Sequence, residues 1–84
     1  MDPYKVIIKP LSTEKSLRMM ESENKIMFLI SSKASKSDVK KAIETLYKMH
    51  CIKVNTLITM KGQKRAIVKL QEPAIDLATK LGLL

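Results

Sequence analysis

Ile52-Lys53-Val54-Asn55-Thr56-Leu57-Ile58-Thr59-Met60 decides the fold. Ile52, Val54, Thr56, Ile58 and Met60 fall on one side, with Lys53, Asn55, Leu57 and Thr59 on the other. Alternation of period two is the pattern of a strand with two distinct faces. Lys61-Gly62-Gln63-Lys64 follows as a turn, in which Gly62 can take a positive φ. Arg65–Leu70 then returns as a second strand. A hairpin this short is antiparallel, so the sheet is mostly antiparallel.

Upstream, Ser35-Lys36-Ser37-Asp38 opens a helix with a capping box that carries Asp in place of the usual Glu. Val39, Ala42, Ile43, Leu46 and Tyr47 supply its apolar stripe, and Lys36, Lys40, Lys41, Glu44 and Lys48 its polar face. Lys25–Ser31 reads as an apolar strand after a Glu23-Asn24 turn. Ser12 or Thr13 caps an earlier helix, with Glu14 in its first turn and Leu17 and Met20 on its apolar edge. Lys5–Lys9 reads as the first strand, closed by Pro10. Pro73 fits the first position of a last helix that Gly82 stops.

The order is β-α-β-α-β-β-α, without repeat, linker or low-complexity tract. It predicts an α+β fold: one domain over residues 1–84, with a four-stranded, mostly antiparallel sheet and helices packed on it. The helix over Val39–Tyr47 can cover Phe28, Ile52, Val54, Ile58 and Val68. Met27, Leu29, Leu57 and Ile67 then remain on the other face, so a second helical layer is expected there. The arrangement expected is an α/β/α sandwich, similar to an α-β plait.

With 84 residues, 45% of them hydrophobic, the chain can bury one small core. Its one cysteine, Cys51, excludes an intrachain disulfide scaffold. The longest apolar run, Ile26–Ile30, is far short of a membrane span, and the N-terminus lacks the layout of a signal peptide. A cytoplasmic protein without membrane insertion is expected.

The net charge of +8 is concentrated in the middle of the chain. Residues 33–69 hold ten basic and two acidic side chains. Such a region attracts polyanions, and release of counterions from phosphates can drive the binding. Solubility alone is the plainer reading of the same lysines. Fourteen of the sixteen basic residues are Lys, which suits backbone contacts better than bidentate reading of bases.

Catalytic and cofactor patterns are missing. His50 and Cys51 are adjacent and have no third ligand at a recognisable spacing, so neither a metal site nor a cofactor is expected. Two glycines cannot build a phosphate loop. An acylphosphatase-like enzyme would need a glycine-containing anion loop with an Arg after the first strand. Pro10-Leu11-Ser12-Thr13-Glu14 stands there instead. A base-stacking RNA domain needs exposed aromatics on its central strands, and Ala66, Ile67, Val68 and Lys69 offer none. Any RNA contact should therefore run through phosphate, ribose and shape. Lys61, Lys64 and Arg65, on a turn with no acid nearby, are the first candidates.

Pro10-Leu11-Ser12-Thr13-Glu14-Lys15-Ser16 resembles the opening of the universal large ribosomal subunit protein family L-twenty-three. So do Lys41-Ala42-Ile43-Glu44-Thr45-Leu46-Tyr47 leading into Val54-Asn55-Thr56, the basic turn and the strand Ala66–Leu70. The resemblance covers essentially the whole chain. It implies a structural, non-catalytic protein that binds large-subunit rRNA beside the polypeptide exit tunnel. The implied partners are a ribosomal protein of the L-twenty-nine family and, at the tunnel exit, signal recognition particle and translocon. It also implies rRNA-binding roles for Thr13, Lys15, Asn55 and Thr56. Lys9, Lys53 and Lys69 complete the candidate set, and Glu14 is the candidate for factor docking. The hairpin turn is short and no long basic N-terminal extension precedes the first strand, features that resemble archaeal members. Two other readings stay open: a free-standing RNA-binding protein, and a protein-docking adaptor whose charge is incidental.

Overall fold

The computed structural model describes residues 2–82. Its elements are α1 (Pro3–Val6), β1 (Ile7–Pro10), α2 (Glu14–Glu23), β2 (Lys25–Ile30), α3 (Lys36–Tyr47), β3 (Cys51–Ile58), β4 (Lys64–Leu70) and α4 (Ala74–Lys80). The α+β class and the antiparallel sheet with packed helices are as the sequence predicts. The start of the chain is different. Asp2 accepts from the Tyr4 N–H at 3.0 Å and Pro3 presets the first turn, so residues 3–6 coil before the strand begins at Ile7.

The helix starts follow their caps. Ser35 accepts from the Asp38 N–H at 3.3 Å, and the Asp38 carboxylate accepts from the Ser35 N–H at 3.0 Å, closing the expected box. These bonds with Ser35 hold the Asp38 carboxyl below its ordinary range. Thr13 caps α2, accepting from the Ser16 N–H at 3.1 Å, and the buried Ser16 hydroxyl accepts from the Thr13 N–H at 2.8 Å.

The strand order is β1-β2-β4-β3, antiparallel throughout. Register sorts the side chains into two faces. Ile26, Val68 and Val54 lie abreast, as do Phe28, Ala66 and Thr56. Those rows face the helices. Val6, Met20, Val39, Ala42, Ile43, Ala74, Leu77 and Ala78 from the four helices join Ile26, Phe28, Ile30, Ala66, Val68 and Leu70 in one buried cluster. Burial at about 25 cal/mol per Å² of apolar surface makes this cluster the main source of stability.

The opposite face departs from expectation. Met27, Leu29, Leu57 and Ile67 do not belong to the helix-lined cluster, and among the described residues no second helical layer packs on them. Met27 is buried nonetheless, and Leu57 is exposed. Ile52 and Ile58, expected under α3, are exposed as well. Ile52 falls at a register shift between Cys51 and Lys53, and Ile58 lies at the hairpin end of β3.

A clip joins distant parts of the chain. Asn24 ends α2 in the left-handed region at φ 56°. Its side-chain amide donates to the carbonyls of Leu70 and Glu72, both at 2.8 Å, and its side-chain oxygen accepts from the Ala74 N–H. An Asn that tolerates this φ can satisfy both its own turn and the entry to α4.

Candidate nucleic-acid interface

The open face carries the charge. Lys25 pairs in register with Lys69, and Lys69 with Lys53, so three lysines stand abreast on three adjacent strands. Neighbouring strands lie roughly 4.8 Å apart, and like charges directly opposite repel. Glu23 reaches Lys25 Nζ at 3.5 Å, from the flank of the row. A sheet would not gain stability from such a row, whereas a bound polyanion would relieve it.

The next rows continue the surface. Asn55 and Ile67 lie beside Met27, then Leu57 and Arg65 beside Leu29, with Lys9 opposite Leu29 on β1. Arg65 therefore lies between two leucines. Its Nη2 donates to the Gln63 side-chain oxygen at 3.2 Å, while its buried Nε has no protein partner. The guanidinium is thus steered but not neutralised. Lys61 sits on the exposed turn at the hairpin end. There the Thr59 N–H donates to the Gln63 carbonyl at 2.8 Å, and Gly62 at φ 84° closes a tight loop.

Of the candidates read from sequence, the fold brings Lys9, Lys53, Asn55, Arg65 and Lys69 onto one face. Thr56 and Lys64 point the other way, in register with Ala66 and Ile58. Lys64 is also engaged: its ammonium donates to the Ala34 carbonyl at 2.6 Å. Thr13, Glu14 and Lys15 stand at the start of α2, where Thr13 serves as the cap. Glu14 is exposed and bonded to Arg18 Nη2 at 2.7 Å, a surface pair of small energetic weight. Lys25 is the residue that sequence reasoning missed. Its membership depends on β2 pairing with β4, which local sequence does not state.

Among the described residues no group of three His, Cys, Asp or Glu could hold a metal, and no helix is long and apolar enough to cross a membrane. Burial pushes the Cys51 thiol up to about 11, and its side chain packs in the core cluster. His50 Nδ1 lies 3.0 Å from a Glu72 oxygen, and Glu72 also accepts from the His50 backbone N–H at 2.9 Å. That pair ties the start of β3 to the β4–α4 connection.

The described residues form a small antiparallel sheet with helices on one face and a row of cations on the other. A family profile described as ribosomal protein L23 matches residues 5–77. A relative from Methanothermobacter thermautotrophicus, the large ribosomal subunit protein uL23, is 44% identical over 84 residues, covering 98% of each chain. The chain belongs to the ribosomal protein L-twenty-three family, and its kinship is with the archaeal type.

Proposed function

We propose that this chain is a structural constituent of the large ribosomal subunit whose open sheet face holds large-subunit rRNA. The observation that carries the reading is the row Lys25–Lys69–Lys53, three cations in register with one flanking acid. Arg65, Lys9 and Lys61 extend the positive surface, and Asn55 adds a polar group between them. Recognition runs through phosphate and shape, because Tyr4, Phe28 and Tyr47, the aromatic residues of the chain, do not lie on this face. The mechanism is a preset frame: the sheet fixes where the lysine side chains start, at strand spacing, and their ammonium groups settle on phosphates at a cost in side-chain freedom.

Family membership supports a place beside the polypeptide exit tunnel in a cytoplasmic ribosome. In this reading the neighbour is a protein of the L-twenty-nine family, and signal recognition particle and translocon dock nearby. Lys15 and Thr13 then meet rRNA from the α2 end, and the exposed Glu14 contributes to docking. No catalytic role is proposed.

Sucrose-gradient sedimentation of native host lysate tests the assignment. Comigration with the large subunit at low and moderate salt is expected, as is its loss in the triple variant Lys25→Glu, Lys53→Glu, Lys69→Glu. Recovery of the natural chain in light fractions alone would overturn the reading.

A further inference from the structure

The two edges of the sheet are treated differently. β1 is four residues long, carries Pro10 and is broken by a register shift, all devices that blunt an edge. β3 is eight residues long, has no proline, and holds continuous register from Lys53 to Ile58. The antiparallel ladder fixes which of its backbone groups are spare. Thr59 donates to Gln63, so the odd-numbered residues of β3 bond β4. The N–H and C=O groups of Val54, Thr56 and Ile58 therefore point outward, away from the sheet.

The side chains at this edge are of two kinds. Ile52 and Ile58 are 61% and 70% exposed, and Leu57 and Met60 are exposed too. Between the edge and α3 runs a groove of about 240 Å³, whose seven lining residues include Lys36, Lys40, Ile52, Lys53 and Val54. Three of the seven are cations and none is an acid.

We propose that the outer edge of β3 is a strand-addition site for an extended peptide segment of a partner protein, in which acidic and apolar side chains alternate. The outward groups of Val54, Thr56 and Ile58 supply the ladder. A strand added there turns one row of side chains toward Lys36 and Lys40, which selects acids. Its other row lies on the open-face side, where exposed Leu57 selects an apolar group at the hairpin end and Lys53 and Asn55 follow along the edge. This inference shares Lys53 and Leu57 with the open face, but its ladder groups and the lysines of α3 that select acids lie on the edge and on the helix side.

The test uses the full chain, isotope-labelled, titrated with a short peptide alternating valine and glutamate. Slowed exchange of the Val54, Thr56 and Ile58 amides, with the neighbouring odd-numbered amides little changed, is the expected result. Thr56→Pro removes an outward donor that β4 does not use, and should weaken binding at least ~5-fold. Lys36→Glu with Lys40→Glu, on the exposed side of α3, should weaken it by a similar factor and keeps the test decisive if the proline variant fails to fold. Equal binding by the natural chain and the Lys36/Lys40 variant would overturn the proposal. So would protection of the same amides by single-stranded RNA and not by the peptide, or by self-association of the chain without the peptide.

Discussion

The two faces of the sheet are built from alternate residues of the same strands, yet they answer to different physics. Toward the helices stand Ile26, Phe28, Ala66 and Val68, all buried. One residue over, toward solvent, stand Lys25, Lys69 and Arg65. The helix face is held by its own packing. The open face holds like charges side by side, which in the proposed reading an anionic partner would offset. Stability and binding are thereby separated in one sheet, and substitutions on the two sides should behave oppositely.

The largest effect should come from the helix face. Phe28→Ala empties the centre of the core and should cost about 3–5 kcal/mol, read by chemical denaturation. Survival of the fold with a cost under ~1 kcal/mol would mean that the core is centred elsewhere. Next comes the clip. Asn24→Ala removes three hydrogen bonds and puts a less suitable residue at a positive φ, for an expected cost of about 2–4 kcal/mol.

Lysine substitutions sharpen the contrast. Lys69→Gln should leave the fold intact or raise its stability by a few tenths of a kcal/mol, by relieving repulsion with Lys25 and Lys53. It should also reduce the slope of log affinity for rRNA against log salt by roughly 0.7–0.9 for each phosphate that is no longer neutralised. Lys64→Gln, on the helix side, should do the reverse. It gives up the bond to the Ala34 carbonyl, costs about 1 kcal/mol and leaves that slope unchanged. If both variants shift the slope equally, the division between faces fails.

The smallest effect is a pH dependence. The hydrogen bond to Glu72 raises His50 above its ordinary 6.5, and the same bond holds Glu72 below its ordinary 4.5. The contribution of His50 is complete below pH 6.5 and fades as pH rises through its raised value. That of Glu72 is complete above pH 4.5 and fades as pH falls through its lowered value. The pair therefore helps most between pH 4.5 and 6.5, and Glu72→Gln should flatten a melting-temperature profile in that window.

Local signals made much of this fold readable. The alternation of Ile52–Met60, the Gly62 turn and the Ser35/Asp38 box each act within a few residues, and each placed its element. The helical turn at Pro3–Val6 escaped because Val-Ile-Ile reads as a strand, while the decisive cap is a single hydrogen bond from Tyr4 to Asp2. Alternation also separates Asn55 from Thr56 and Lys64 from Arg65. What it cannot supply is the pairing of β2 with β4, which puts Lys25 into the basic row. The clip was hidden for the same reason, since Asn24 meets partners 46 to 50 positions away. The expectation of a second helical layer treated Met27, Leu29 and Ile67 as requiring helices, whereas Met27 is buried and Leu29 and Ile67 half-buried without joining the helix-lined cluster.

The Asn24 clip also sets a clock. A chain made from its N-terminus has α2 and β2 long before Leu70, Glu72 and Ala74 exist. Until those residues emerge, the side chain of Asn24 has only water to bond, and β4, the second partner of β2, is incomplete. The native structure thus waits until the chain has been translated past Ala74. A nascent chain halted before Ala74 should remain open to proteases, and should close only when the final helix is released.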